Sequence, residues 1–204
     1  MIFVSFSYAV LIMLLTSCST GLPVQQESQI IEKDTIEVQY SILFIIHGDG
    51  DYLYHDTAGN EHTADEEALD GAKRVAEENP LAEVFIFHQK PTSHFLFFFP
   101  LRDGEFYYYR NGRLIANELY WRDQEQSNFD LEVGLYRHFR VNNQREMVSM
   151  FLYFGHEIPE FSNTGYDASY PDRMFTIHNL ASGLKNFTSD STRFDLLVLS
   201  TCYG

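Results

Sequence analysis

Four short apolar runs constrain this chain more than any other feature: SILFIIHG (41–48), AEVFIFHQ (82–89), MVSMFLYFGH (147–156) and FDLLVLSTC (194–202). Each is the length of a strand and too continuously apolar to keep one face in water, so each predicts a strand covered on both sides. Between the first two lies TADEEALDGAKRVAEENP, which predicts a helix: Thr63 stands as cap with Glu66 three residues on, Ala64, Ala68, Ala72, Val75 and Ala76 supply the apolar positions, and Asn79-Pro80 ends it. The opening is therefore β-α-β, which calls for a parallel sheet with a crossover helix.

The rhythm then breaks. The stretch from His94 to Trp121, HFLFFFPLRDGEFYYYRNGRLIANELYW, places Asp-Gly and Asn-Gly between aromatic runs, the signature of an antiparallel hairpin. Packing beside the core is the plain expectation for it, and a carbohydrate- or peptide-binding platform is the alternative, since Tyr and Trp offer flat faces with polar tips. A helix is expected over 129–139, and another over RMFTIHNLASGLKNF (173–187), whose Met174, Ile177, Leu180, Ala181 and Leu184 fall on one face. The fold class read from this order is α/β, a mostly parallel sheet with an antiparallel aromatic β-hairpin insertion.

The first 17 residues carry no charged side chain and lead into LLTSC (14–18), with small residues before Cys18. This resembles a bacterial lipoprotein signal, which implies acylation of Cys18, export, and residence in the cell envelope facing the periplasm or the cell surface. The n-region departs from that pattern in having no Lys or Arg. The organisation is then a signal peptide over 1–17, a polar tether over 18–40 and one folded domain over 41–204. A net charge of −15 repels phosphate backbones and anionic lipid surfaces and argues against a nucleic-acid partner. With Cys18 lipidated, Cys202 is the one thiol left in an oxidising compartment, and a buried, inert thiol is the alternative to a working one.

His156 and Cys202 each stand just past the carboxyl end of a strand, where loops of an open α/β sheet build sites. An imidazole beside a thiol can accept its proton and later return one to a leaving amine. The combination of ILFIIHGDGDYLYHD, FGHEIPEFSNTGYDAS and FDLLVLSTCYG, with the cysteine 46 positions after the histidine, resembles the caspase-like cysteine peptidases, and most closely their clostripain-like branch. The resemblance implies a three-layer caspase-like sandwich and a cysteine-type endopeptidase acting on peptide or protein substrates as a monomer. Cys202 would be the nucleophile and His156 its proton partner, with the backbone N–H groups of Glu157 and Cys202 holding the oxyanion. Glu157 stands where the family has Gly, and Ser200 where the branch has Asp at the base of a basic-residue pocket. Ser200 and Asp167 are the pocket candidates here. Family domains continue past the nucleophile, so the chain reads as incomplete beyond Gly204. A catalytically inactive binding or sensing lipoprotein is the second functional reading, favoured by Glu157.

Two other histidine-rich places compete. His47-Gly48 reproduces the His-Gly pair of such enzymes but follows the wrong strand, and a solvated turn is expected for the acidic loop after it. Asp49 and Asp51, with His55 and Asp56, are weak candidates for a Ca2+ site, because closely spaced carboxylates are hard oxygen ligands. No cofactor is expected otherwise. His88 and His94 read as strand-edge residues.

Overall fold

The computed structural model describes residues 37–48, 53–96, 98–122, 129–140, 147–160, 166–188 and 193–201, all within the unit Thr35–Gly204. In chain order its elements are β1 (Tyr40–His47), β2 (Leu53–His55), β3 (Glu61–Thr63), α1 (Ala64–Glu78), β4 (Ala82–Gln89), β5 (Ser93–Phe95), β6 (Phe99–Leu101), β7 (Gly104–Arg110), β8 (Arg113–Tyr120), α2 (Asp130–Phe139), β9 (Val148–Gly155), α3 (Ile177–Phe187) and β10 (Leu196–Thr201). The four apolar runs are thus β1, β4, β9 and β10. They lie side by side in a six-stranded sheet of order β10-β9-β1-β4-β7-β8, and every pairing among them is parallel.

The side-chain period of a strand sorts the core into two layers. Leu43 and Ile45 of β1 join Phe85 and Phe87 of β4 on one face, packed with Val133 and Tyr136 of α2 and Leu180 and Phe187 of α3. Ile42 and Ile46 join Val84 and Ile86 on the other, packed with Leu69, Ala72 and Ala76 of α1. Helices therefore cover both faces, and the molecule is a mixed α/β, three-layer structure. Phe85, Phe87, Phe106, Phe151 and Phe175 are fully buried, and burial of each such side chain contributes about 1.5–3 kcal/mol.

The aromatic stretch divides in two. Its second half forms the β7–β8 hairpin, whose Asn111 and Gly112 both take positive φ (52° and 74°) as a tight primed turn requires. β7 is hydrogen-bonded antiparallel to β4, so this hairpin extends the main sheet. Phe106 and Tyr108 of β7 enter the core. The first half, β5 and β6, makes a separate two-stranded sheet in which every residue is exposed.

Three local expectations are corrected. Thr63 is the N-cap of α1, but its side chain makes no capping hydrogen bond. α3 starts four residues later than the apolar pattern suggested, at a capping box formed by Thr176 and Asn179; its buried residues are Leu180, Gly183 and Phe187, while Met174, Ile177 and Ala181 are exposed. β10 is a strand, yet among the described residues it pairs with β9 alone, and its Leu196, Leu197 and Val198 are exposed.

Candidate active site

Parallel pairing puts the carboxyl ends of β1, β9 and β10 at one end of the sheet. β1 ends at His47 and β9 at Gly155, with His156 next in the chain. The β9–β10 register sets Ser200 opposite Phe154 and Thr201 opposite Gly155. His156 therefore leaves one strand tip one residue past the position matched by Thr201, and Cys202 follows Thr201 in sequence. Cys202 itself lies outside the described residues, as do Cys18, Asp49 and Asp51.

His156 is partly exposed, with its ring centroid 6.4 Å from that of His47. Gly155 is what allows the approach. A Cβ there would stand 2.7 Å from the Tyr153 hydroxyl oxygen and 2.9 Å from His47 Cβ. Glycine thus lets β9 press against the end of β1 just where His156 departs.

His47 is fully buried and stacks on Tyr166, ring centroids 4.5 Å apart. Its Nε2 is 3.5 Å from Asp167 Oδ2. Burial depresses the imidazole pKa, while Asp167 opposes that shift by hydrogen bonding and charge, and the net direction is downward. The ring is a buried wall behind His156, with no surface of its own to offer a substrate.

Asp167 organises the floor beneath. Its Oδ2 accepts a short hydrogen bond from Arg122 Nη2 and lies 3.5 Å from Arg173 Nη1, and its Oδ1 accepts from the Tyr170 backbone N–H at 3.2 Å. Arg122 in turn donates its backbone N–H to Asp103 Oδ1 at 2.8 Å and its Nη1 to the Lys90 carbonyl at 3.1 Å. Asp103 Oδ2 accepts from the Tyr170 hydroxyl, over whose ring the Arg122 guanidinium sits at 4.9 Å. Burial first, and the bond to Asp103 next, push the Tyr170 phenol pKa upward. Two buried arginines facing two buried aspartates satisfy the rule that charge enters a protein interior only when paired. The network locks the 166–173 segment to the segments around residues 90, 103 and 122.

The sequence candidates land unevenly. His156 sits at a strand tip as expected. Glu157, next to it, is exposed, and so is Ser200 on the edge strand. Asp167, expected to line a substrate pocket, is fully buried and its carboxylate is taken by Arg122, Arg173 and His47. His88, expected at a strand edge, is buried too: its Nε2 is 2.8 Å from Asp65 Oδ2 and its Nδ1 3.6 Å from Glu105 Oε2. His94 is exposed. Asp56 closes a turn, accepting from the Ala58 and Asn60 backbone N–H groups at 2.8 Å each, and these bonds, led by that from the Asn60 side chain, lower its pKa. Among the described residues no group of three His, Cys, Asp or Glu side chains is arranged to hold a metal ion. Sequence reasoning missed Arg122, Arg173, Asp103 and Tyr170. Tyr170 and Arg173 follow the GYDAS loop directly, whereas Asp103 and Arg122 flank the β7–β8 hairpin, and no local signal joins the two pairs.

No family model matches the chain, and no curated protein does. Among solved structures it is similar to a secreted C11 cysteine protease from Bacteroides thetaiotaomicron in complex with an irreversible peptide inhibitor, with 12% identity and a TM-score of 0.48 over 81% of this chain and 43% of that one. A second structure of a secreted C11 cysteine protease from the same organism gives 12% identity and a TM-score of 0.46, over 82% and 47% of the respective chains. The chain spans less than half the length of each. Likeness of that degree carries no argument about chemistry, which rests on the residues themselves.

Proposed function

We propose that the protein is an exported, lipid-anchored cysteine-type endopeptidase in which Cys202 and His156 form a catalytic dyad. The observation that supports this best is the β9–β10 register, Thr201 opposite Gly155, because it sets the two residues that follow at neighbouring strand tips. In the proposed reaction His156 takes the thiol proton and the Cys202 thiolate attacks the peptide carbonyl carbon. The resulting oxyanion is held by the N–H groups of Cys202 and Glu157. Collapse breaks the C–N bond as the imidazolium gives its proton to the departing amine. Water, deprotonated by His156, then hydrolyses the thioester and regenerates the thiol.

An acyloxymethyl ketone peptide probe tests this. The full-length protein should be labelled at neutral pH and Cys202→Ala should not. Equal labelling of the two, or none of either, overturns the assignment. The second reading, a non-catalytic binding protein on the same scaffold, is favoured by Glu157, an exposed acidic residue directly after His156 where the resemblance implies glycine. It is supported if Glu157→Gly creates labelling that the wild type lacks.

A further inference from the structure

The chain leaves the main sheet after β4 and returns at β7. Lys90 N–H donates to the Asp103 carbonyl at 2.7 Å, closing the base of this excursion, and Thr92 N–H donates to Ser169 Oγ at 2.8 Å, tying it to the loop that follows His156. Above that base, β5 and β6 pair with each other alone among the described residues. Phe95 is 58% exposed, Leu96 62%, Phe98 83% and Phe99 62%. Apolar clusters of this kind on a protein surface mark protein or membrane interaction sites.

The shape and charge of the segment choose between those partners. Both strands are exposed along their whole length, so the hairpin is a protrusion and presents no groove for a peptide to fill. A folded partner would need a matching pocket, whereas a bilayer closes around any convex apolar tip. The chain has 29 acidic residues, yet none falls between Lys90 and Arg102, so the stretch offers no carboxylate that insertion would have to desolvate. Phe and Leu side chains such as these form the apolar face of segments that lie at the headgroup–acyl boundary.

We propose that the hairpin Ser93–Leu101 inserts into the interfacial layer of a lipid bilayer. The proposal rests on the lipid-anchor reading of residues 1–18 for the nearness of a membrane and is independent of peptidase activity. The tether geometry permits it. Gln39 N–H bonds to the Leu81 carbonyl, so the tether joins the domain at the opposite end of β4 from the hairpin. The eight residues of β4 span about 26 Å, and the roughly 20 residues between Cys18 and Tyr40 reach up to about 70 Å when extended. Insertion stops at the headgroup–acyl boundary, about 5–10 Å deep, because the hairpin's outward N–H and C=O groups find no partner in hydrocarbon. Docked this way, the sheet end that carries His156 faces the membrane surface.

The test places a single tryptophan. Trp121 is the chain's one Trp, so Trp121→Phe gives a silent background for Phe98→Trp and, at the far end of β4, for Leu81→Trp. The full-length variants are mixed with phosphatidylcholine vesicles whose acyl chains carry bromine, and vesicle flotation is measured in parallel. The expected result is that the tryptophan at 98 shifts to shorter wavelength and loses most of its emission, while that at 81 is unchanged. Adding Phe99→Asp should abolish the quenching at 98 with the chain still floating through its N-terminal segment. Absence of quenching at 98, whether or not the chain floats, overturns the proposal. So does a blue shift that grows with protein concentration without lipid, the mark of a second copy covering the hairpin.

Discussion

Asp167 is the side chain whose removal tests the architecture of the site most directly. It is fully buried, and the Arg122 and Arg173 side chains that face it are 1% and 7% exposed. Asp167→Asn keeps the volume and an acceptor for the Tyr170 N–H but removes the charge. Arg122 would still meet Asp103, its Nε 3.7 Å from Oδ2, and the Lys90 carbonyl. Arg173 would lose a carboxylate oxygen at 3.5 Å, an attraction on the order of 5 kcal/mol at an effective dielectric constant of about 20, before solvation is counted. Breaking one side of a buried pair costs about 3–5 kcal/mol because a charge is left uncompensated. For a domain of this size that lowers Tm by roughly 6–20 °C. Urea unfolding followed by circular dichroism should show a lower midpoint at unchanged slope, while Asp172→Asn, at an exposed neighbouring position, should leave the midpoint in place. An Asp167→Asn unfolding free energy within about 1 kcal/mol of wild type would refute the assignment of a charged floor.

Gly155→Ala should destabilise the protein by about 1–3 kcal/mol, because its Cβ would stand 2.7 Å from the Tyr153 hydroxyl; the same variant should slow probe labelling by displacing His156, and an unchanged rate would separate packing from positioning. His47, whose pKa burial lowers, binds a proton less readily in the folded state than in the unfolded chain, so stability is complete above about pH 6.5 and falls as the pH drops below it. Unfolding midpoints between pH 8 and 5 should decline more steeply for wild type than for His47→Gln, and parallel curves would count against the burial argument. Thr176→Ala should cost about 1 kcal/mol by removing the α3 capping box, read from the same urea curves.

The β-α-β opening, the three parallel core strands and the Asn-Gly hairpin were legible because each depends on local pattern: a buried strand must be apolar on both faces, and a primed turn must hold residues that tolerate positive φ. His156 at a strand tip followed from the same logic. The start of α3 was misplaced because the apolar period runs on through Met174, whereas the boundary is set by two polar side chains, Thr176 and Asn179, bonding each other's backbone N–H groups. The exposure of Leu196, Leu197 and Val198 was hidden because a run of Leu and Val reads alike on a covered strand and on an uncovered one.

By itself the sequence determined which segments must be strands and helices, since hydrophobic periodicity is a property of neighbours along the chain, and it put a histidine and a cysteine at the ends of two of them. Only the tertiary structure decided that Asp167 is held by Arg122 and Arg173 beneath His47, that His88 lies between two carboxylates, and that the first half of the aromatic stretch stands clear of the core while the second half joins it. Those outcomes depend on residues far apart in sequence meeting in space, where a charge is tolerated once paired, and no local pattern records which partner will arrive.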